Sequence, residues 1–437
     1  MHGDIALCES LGSARAFLNL VELGVPFPHD RHGGFPGYRT DNDLRGRATS
    51  AGPLTSRLMC HHLGAELERL GVRVFDGHQV VALLTRGKRE DGEAVATCGA
   101  VAIRKEGVNE GDFGLVAFNA RNVVLATGGP GGMYRDSVYP QSQRGSLGLA
   151  LRAGAVAHNL TESQFGMASV GFRWNLSGSY QQVIPRYVSE AGPGGDRREF
   201  LNAHFPDMGT LASAIFRKGY EWPFDTDRVT RHGSSLIDIL VDQEIRSGRR
   251  VFLDFTRNPE GGEGWAPFTL ACLEEEARDY LSRSGATGDT PVTRLAAMNE
   301  PALGLFRDNG RELAKDPLEI AVCAQHNNGG LRADIWWESN VRNLFPIGEA
   351  CGTHGVRRPG GAALNAGQVG GMRAALFISR RYPQAPPELD EFAAAVTTQV
   401  EETVEFCRRS WSRSDQGDVL TPARVIGQVQ DRMSRCA

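Results

Sequence analysis

The stretch LFPIGEACGTHGVRRPGGAALN, residues 344–365, decides the fold of this chain. It opens with a nearly continuous apolar run, residues 344–347, which is typical of a strand buried on both faces of a parallel sheet. Glu349 follows at the carboxyl end of that strand, the edge at which doubly wound sheets bind ligands and a carboxylate can accept hydrogen bonds. Gly360 and Gly361 would let a flat ring approach the backbone. The segment therefore predicts a ligand-binding turn between a strand and a helix.

A second glycine-rich segment, NVVLATGG at residues 122–129, has the same character. Its apolar run predicts another buried strand of the parallel sheet, and Thr127, Gly128 and Gly129 bring bare backbone to the same ligand edge. A tight strand-to-loop turn without any ligand explains this motif equally well. Alone, the motif does not establish a binding site.

The distribution of residue types around these two strands predicts the domain organisation of the chain. Irregularly spaced aromatic, proline and glycine residues from 159 to 325 indicate an inserted α+β capping domain. The parallel sheet then belongs to a discontinuous Rossmann-like domain, residues 1–158 and 326–380. A C-terminal helical segment, 381–437, follows and begins with a proline-rich linker at 382–387. The predicted fold class is α/β.

Local patterns predict the elements near the start of the chain. Apolar periodicity indicates amphipathic helices from Ser13 to Leu23 and from Leu54 to Leu70, each followed by a glycine suited to a left-handed cap. Segments rich in β-branched residues, separated by turns, then predict a meander with strands at 72–75, 79–84, 100–104 and 115–118.

The composition limits the classes of function. The 48 Lys and Arg residues against 52 Asp and Glu give a net charge of -4, and no basic, aromatic-rich face favours nucleic acid. No apolar run approaches the ~20 residues of a transmembrane helix, which predicts a cytoplasmic protein without a membrane span. The eight cysteines are scattered, without the paired spacing of a zinc or iron–sulfur site, so no metal is expected.

The run HGVRRPGGAAL at residues 354–364 resembles, without a gap, the HGANRLGGNSL pattern of succinate dehydrogenase and fumarate reductase flavoproteins. Other landmarks of that family follow in the family's order: VVLATGG at 123–129, AGA at 153–155, Gln164, and the glycine pair and Gly-Glu pair at 329–330 and 348–349. The chain is also similar to L-aspartate oxidases, which share these landmarks. The resemblance spans nearly the whole chain.

The resemblance implies FAD as the cofactor, a capping domain above the flavin, and hydride transfer between the flavin and a carbon adjacent to a carboxylate. It further implies a small carboxylate substrate and an electron-transfer partner protein. Arg358 matches the arginine that grips the substrate carboxylate, a role that suits a planar and permanently charged guanidinium. The cofactor-binding residues that the resemblance implies are Thr127, Gly128, Gly129, Glu349, Gly360, Gly361, Ala363 and Leu364.

The amino-terminal pattern departs from the family, because no Gly-x-Gly-x-x-Gly motif follows a strand anywhere in the chain. By comparison with a complete flavoprotein domain of this type, about a hundred residues are expected to be missing. Two interpretations stay open: an FAD-dependent oxidoreductase, or a truncated, inactive fragment or cofactor-poor binding module of the same fold. An NAD-dependent dehydrogenase is disfavoured, since it needs the same glycine-rich turn followed by an acid about 20 residues later.

The active-site pattern departs as well. The family carries a proton-donating arginine on the cap, and register with the helix that follows places residues 233–235, Gly-Ser-Ser, at that point. Arg231, or Arg228 three residues earlier, is then the candidate substitute. The substrate-binding histidine of the family coincides with Gln325, so His326 is the candidate for that role. These departures argue against a C4-dicarboxylate substrate while keeping flavin redox chemistry.

Overall fold

The amino-terminal part of the chain alternates helices with short strands. The computed structural model describes residues 2–40, 43–87, 95–140, 143, 145–413 and 421–436. The antiparallel sheet β3-β4-β5 is the meander that the sequence predicted. The elements up to residue 158 are α1 (Gly3–Glu22), β1 (Tyr38–Thr40), β2 (Asp43–Ala48), α2 (Thr55–Arg69), β3 (His78–Arg86), β4 (Ala96–Arg104), β5 (Leu115–Asn119), β6 (Val123–Leu125), α3 (Leu147–Arg152) and β7 (Ala157–His158).

The middle of the chain forms a lobe around a six-stranded antiparallel sheet of order β11-β10-β12-β13-β8-β9. Helices of the lobe pack on this sheet, and Ile215, Ile237 and Leu253 are fully or almost fully buried in the shared core. The elements of the lobe are β8 (Ser163–Ser169), β9 (Trp174–Asn175), α4 (Ser179–Gln182), β10 (Arg186–Glu190), β11 (Arg197–Arg198), α5 (Met208–Arg217), α6 (Ser235–Arg246), β12 (Arg250–Asp254), α7 (Glu275–Arg283), α8 (Pro291–Asp308) and β13 (Leu318–Asn327).

The chain then returns to its amino-terminal part through a parallel strand pair. The returning elements are β14 (Gly330–Leu331), β15 (Leu344–Pro346), α9 (Ala362–Arg381), α10 (Leu389–Ser412) and α11 (Pro422–Cys436). β15 pairs in parallel with β6, with Leu344 opposite Val123 and Pro346 opposite Leu125. Both strands therefore end at the same edge, and the two glycine-rich segments of the sequence meet there.

Two element predictions were wrong. The first helix begins at Gly3 rather than Ser13, because its apolar face starts with Ile5, which is buried in a core shared with α9. Residues 72–75 are not a strand, and Val72 and Val74 are exposed. β-Branched residues form a strand only where a neighbouring strand can pair with them, and none of the described strands pairs with this segment.

The domain boundaries inferred from the distribution of residue types stay predictions. β13 runs across one of them, from Leu318 to Asn327, and so carries the sheet of the lobe up to the residues that contact Glu349. In the C-terminal segment α10 packs on the meander, where the side chain of Gln399 bonds both backbone groups of Thr85. Among the helices described, none is long and apolar enough to cross a bilayer.

Candidate active site

Glu349 lies at the carboxyl edge of the parallel pair, directly after β15. Its Oε1 accepts hydrogen bonds from the backbone N–H of Asn327, at 2.7 Å, and from the hydroxyl of Tyr139. Burial and the charge of Glu349 raise the pKa of Tyr139 well above its usual value, which keeps that hydroxyl a donor. A Cβ added to Gly129 would lie 2.7 Å from Cδ of Glu349, so a side chain there would displace the carboxylate. These hydrogen bonds fall on Oε1, while Oε2 lies on the side of Gly128.

A pair of buried histidines extends this arrangement. Nδ1 of His326 lies 3.3 Å from Oε1 of Glu349, and Nε2 of His326 lies 2.8 Å from Nδ1 of His354. Burial, aided by the positive charge of Arg358, lowers the pKa of His326 well below its usual value and that of His354 to about 4. Both rings are therefore neutral at pH 7.

The contacts favour one pair of tautomers for the two histidines. A carboxylate only accepts, so the approach of Nδ1 to Oε1 of Glu349 favours the tautomer of neutral His326 that carries its N–H on Nδ1. Nε2 of His326 must then accept from the Nδ1–H of His354. This leaves Nε2 of His354 as a bare lone pair, buried and without a hydrogen-bond partner among the described residues. The neighbouring backbone of Ala362 raises the pKa of His354, but burial lowers that pKa by more, and the ring stays neutral at pH 7.

Arg358 joins the loop after β15 to the inserted lobe. Its Nε donates to the side-chain oxygen of Gln164 on β8, at 2.9 Å, and its Nη1 donates to the carbonyl of Pro359 at 3.1 Å. The residue is only 7% exposed. Because its charge depresses the pKa values of His326 and His354, the guanidinium is electrostatically coupled to both rings. The structure thus brings Glu349, His326 and Arg358 into one cluster.

The glycine pair of the same loop plays two different parts. A Cβ on Gly360 would lie 2.3 Å from Oγ1 of Thr40, so this glycine is required by packing against β1. Gly361 has a left-handed φ of 81° and open space around it, and it precedes α9 without a side-chain cap. Ala363 and Leu364 lie in the first turn of α9, where a helix leaves backbone N–H groups for an acceptor.

The segment of the lobe that was expected to supply an arginine is arranged differently. Ser234 donates to the carboxylate of Glu221 at 2.5 Å, and the hydroxyl of Ser235 accepts from the backbone N–H of Asp225 at 3.0 Å. Both serines are buried and serve contacts inside the lobe. Arg231 is exposed and has a left-handed φ of 55°. The structure places it on the surface of the lobe, outside the buried cluster around Glu349.

Arg357 makes a second, superficial connection between the loop and the lobe. Its Nη2 donates to Asp225 at 2.8 Å and to Asp227 at 2.5 Å, and its side chain is half exposed. Arg228 also approaches Asp225, with 3.9 Å between Nε and Oδ2. Arg357 and Arg358 are therefore neighbours in sequence with opposite surroundings, one in a surface ion pair and one buried.

Sequence reasoning gave no role to two residues of the cluster, Tyr139 and His354. His354 opens the run that carries the family resemblance, so its position was visible but its bare nitrogen depends on the contact with His326. Tyr139 lies in the loop after Gly128 and Gly129, and only the fold shows that this loop turns back onto Glu349.

A strand-edge carboxylate, a bare glycine turn and an uncapped helix start, in contact with a second lobe, are the features expected of a flavoprotein with an α/β cofactor domain. The model of the FAD binding domain family matches residues 6–364, and the chain belongs to this family. FAD is accordingly its cofactor. The predicted resemblance to succinate dehydrogenase and fumarate reductase flavoproteins, and the α/β fold class with an inserted lobe, are confirmed by this match and by similar proteins of known function and structure.

Two curated relatives are a fumarate reductase (CoM/CoB) subunit of Methanothermobacter marburgensis and the L-aspartate oxidase of Agrobacterium fabrum. Each is 26% identical to this chain, over 85% and 89% of this chain, which spans 59% and 61% of the relatives' own length. A quinol-fumarate reductase with menaquinol molecules shares the fold with a TM-score of 0.69 at 20% identity, over 98% of this chain and 66% of that one. Sdh1 of Mycobacterium smegmatis in complex with UQ1 shares the fold with a TM-score of 0.64 at 18% identity, over 99% of this chain and 64% of that one.

The residues present fit the ring and ribityl end of FAD. The Oγ1 of Thr127 is buried without a hydrogen-bond partner among the described residues, at the strand end that Gly128 and Gly129 keep free of side chains. Oε2 of Glu349 lies on the same side, where it can accept from ribityl hydroxyls. The start of α9 offers N–H groups and a positive dipole to the electron-rich edge of a flavin.

Proposed function

We propose that this chain acts as an FAD-dependent oxidoreductase that transfers hydride between flavin and a small molecule bearing a carboxylate. The observation that carries the proposal is Arg358, a buried guanidinium held by Gln164 of the inserted lobe and coupled to the histidines that lead to Glu349. The planar fork of a guanidinium matches a carboxylate, and this one lies in the buried cluster around Glu349, at the edge where the family holds its flavin. Electron transfer to or from a partner protein belongs to the same proposal.

FAD supplies hydride acceptance or donation when it is bound. Arg358 holds the substrate carboxylate through its planar fork, while Glu349 fixes the tautomer of His326 and, through it, that of His354. Nε2 of His354 is then a proton acceptor. An anion on Arg358 offsets the positive charge that lowers the pKa of His354, so carboxylate binding makes this nitrogen more basic.

Anaerobic flavin bleaching tests this function. The FAD-loaded protein is mixed with a panel of small carboxylates, and the flavin absorbance is followed against esters or amides of the same compounds. Bleaching by at least one free acid, and not by its uncharged derivative, is the expected result. Equal bleaching by a free acid and by its uncharged derivative would contradict the proposed binding of the carboxylate by Arg358.

A cofactor-poor binding module of the same fold is the second candidate. The observation in its favour is that Oε1 of Glu349 already accepts from Tyr139 and Asn327, so part of the carboxylate serves the protein itself. A protein that takes up no FAD yet binds a carboxylate with a dependence on Arg358 would support this alternative.

Replacing Glu349 by glutamine is expected to weaken FAD retention about tenfold or more. An amide accepts fewer hydrogen bonds than a carboxylate, and its NH₂ group would face donors. Retention is measured as bound flavin after dialysis. Glu338→Gln is the control, since Glu338 is an acid held by Asn343 and Tyr382 at the opposite end of the same strand. Equal flavin loss in the two variants would count against a cofactor role for Glu349.

Acid is expected to destabilise the protein through His354. Its pKa falls from 6.5 in the unfolded chain to about 4 in the fold, so the unfolded state binds more protons between these values and stability falls as the pH drops through that window. The contribution amounts to about 3 kcal/mol by pH 4. His354→Gln should flatten the unfolding free energy over this range. Burial raises the pKa of Glu9 to about 7, so Glu9 makes the protein more stable as the pH falls through part of the same range. This contribution is present in both proteins, and the difference between their unfolding free energies therefore isolates the effect of His354.

A further inference from the structure

The amino edge of the parallel pair, opposite the edge that carries Glu349, carries a repeated dipeptide. Both strands are preceded by the same dipeptide, Arg121-Asn122 before β6 and Arg342-Asn343 before β15. The in-register pairing of the strands sets the two dipeptides side by side. The amide of Asn343 donates to the amide oxygen of Asn122 at 2.9 Å, which locks the edge. Arg121 and Arg342 are therefore neighbours at this edge of the sheet.

The backbone around Arg342 is fixed on every side. Its N–H donates to the carbonyl of Val95 and its carbonyl accepts from the N–H of Thr97, each at 2.9 Å. Asn343 adopts a left-handed φ of 63°, and its N–H donates to Oε1 of Glu338 at 2.8 Å. Asparagine adopts this conformation more readily than most residues, and the contacts of its N–H and its amide hold it in place here.

A basic cavity of about 790 Å³ opens at this edge. Three arginines line it, Arg86, Arg121 and Arg342, and the described residues of the lining include no carboxylate. Within the described ranges none of the three guanidinium groups lies in an ion pair with an acid. The remaining lining residues are Gly87, Ala96, Asn343, Tyr382 and Gln384.

The arginines keep their charge available. Nε of Arg121 donates to the carbonyl of Ala385 at 2.9 Å, a neutral group that positions the side chain without adding a negative charge. The acid nearest in the hydrogen-bond network, Glu338, is occupied by the hydroxyl of Tyr382 at 2.9 Å and by the backbone of Asn343. Three positive charges thus converge on one cavity, although the whole chain carries a net charge of -4.

We propose that this cavity binds the di- or triphosphate group of a small ligand. Guanidinium forks match phosphate oxygens, and three of them suit an anion with several charges better than a single carboxylate. The volume lies in the range of small-molecule sites, with the ring of Tyr382 and the amide of Gln384 placed for the remainder of a nucleotide. The site is separate from the flavin edge, to which β6 and β15 connect it.

Calorimetric titration with inorganic tripolyphosphate and with ATP, on the full chain, tests the proposal. The double variant Arg121→Gln/Arg342→Gln removes both edge charges, and Arg15→Gln, an exposed arginine on α1, is the control for net charge. We expect saturable binding that the double variant weakens at least about tenfold, as the loss of two charge-assisted contacts implies, and that Arg15→Gln leaves within about twofold.

The two probes distinguish the source of the phosphate group. Equal affinity for tripolyphosphate and ATP indicates a free polyphosphate, whereas tighter binding of ATP indicates a nucleotide. Absence of saturable binding for both probes overturns the proposal, and so does equal weakening by Arg15→Gln and the double variant. The titration uses no flavin signal, so its outcome is independent of the proposed oxidoreductase activity.

Discussion

Arg358→Ala is expected to lower kcat/KM of the FAD-loaded protein for its carboxylate substrate by about 10²- to 10³-fold. Arg358 is only 7% exposed and its guanidinium donates to Gln164 and to the carbonyl of Pro359, so bulk water cannot take over the contacts that the substitution removes. Arg358→Lys keeps the charge and loses the fork, and should raise KM with a smaller decrease in kcat. Steady-state kinetics with the acid that bleaches the flavin measures both.

Arg357→Ala is the matched control for Arg358. It removes the same side chain one position earlier, but Arg357 is half exposed and bound to Asp225 and Asp227 at the surface. Surface ion pairs contribute up to about 1 kcal/mol, so the kinetic effect should stay within about fivefold. If Arg357→Ala and Arg358→Ala reduce kcat/KM equally, the loop as a whole, and not the buried guanidinium, sets the rate.

Lys218→Ala is expected to destabilise the protein by about 3–5 kcal/mol, the cost of leaving a buried charge without its partner. Lys218 has no exposed surface and its Nζ donates to the carboxylate of Asp238, which is 2% exposed. Burial raises the pKa of Asp238 to about 6, and the ammonium group opposes that rise. Chemical denaturation at pH 7 measures the loss as a lower midpoint at unchanged slope.

The double variant Lys218→Met/Asp238→Leu separates charge from packing. Both charges disappear together and the apolar volume is roughly kept, so stability should return to within about 1–2 kcal/mol of the unaltered protein. Equal losses in the single and double variants would show that shape, and not the uncompensated carboxylate, decides the stability of this part of the lobe.

The sequence was sufficient for the features that depend on local pattern. Continuous apolar runs identified β6 and β15, and strand polarity alone predicted that Thr127 and Glu349 would meet at one edge. The meander followed from turns and β-branched residues. Residues 72–75 failed the same test, because pairing with a neighbour decides whether such residues form a strand.

The chemistry of the candidate site depends on contacts between distant segments, and the sequence could not give these. Tyr139 reaches Glu349 across more than two hundred positions, and the arrangement that leaves Nε2 of His354 without a partner among the described residues depends on the contacts of His326 with His354 and Glu349. The contrast between Arg357 and Arg358 is of the same kind. Two adjacent arginines look alike in sequence, and only the surrounding fold buries one of them.

A difference spectrum of the bound flavin tests the central claim most directly, that this edge holds flavin beside a carboxylate anchored on Arg358. Malonate, a carboxylate without a bond to dehydrogenate, is titrated into the FAD-loaded protein under anaerobic conditions. We predict a saturable perturbation of the flavin bands that Arg357→Ala retains and Arg358→Ala abolishes. An unperturbed flavin in the unaltered protein, or the same perturbation in Arg358→Ala, would contradict the account.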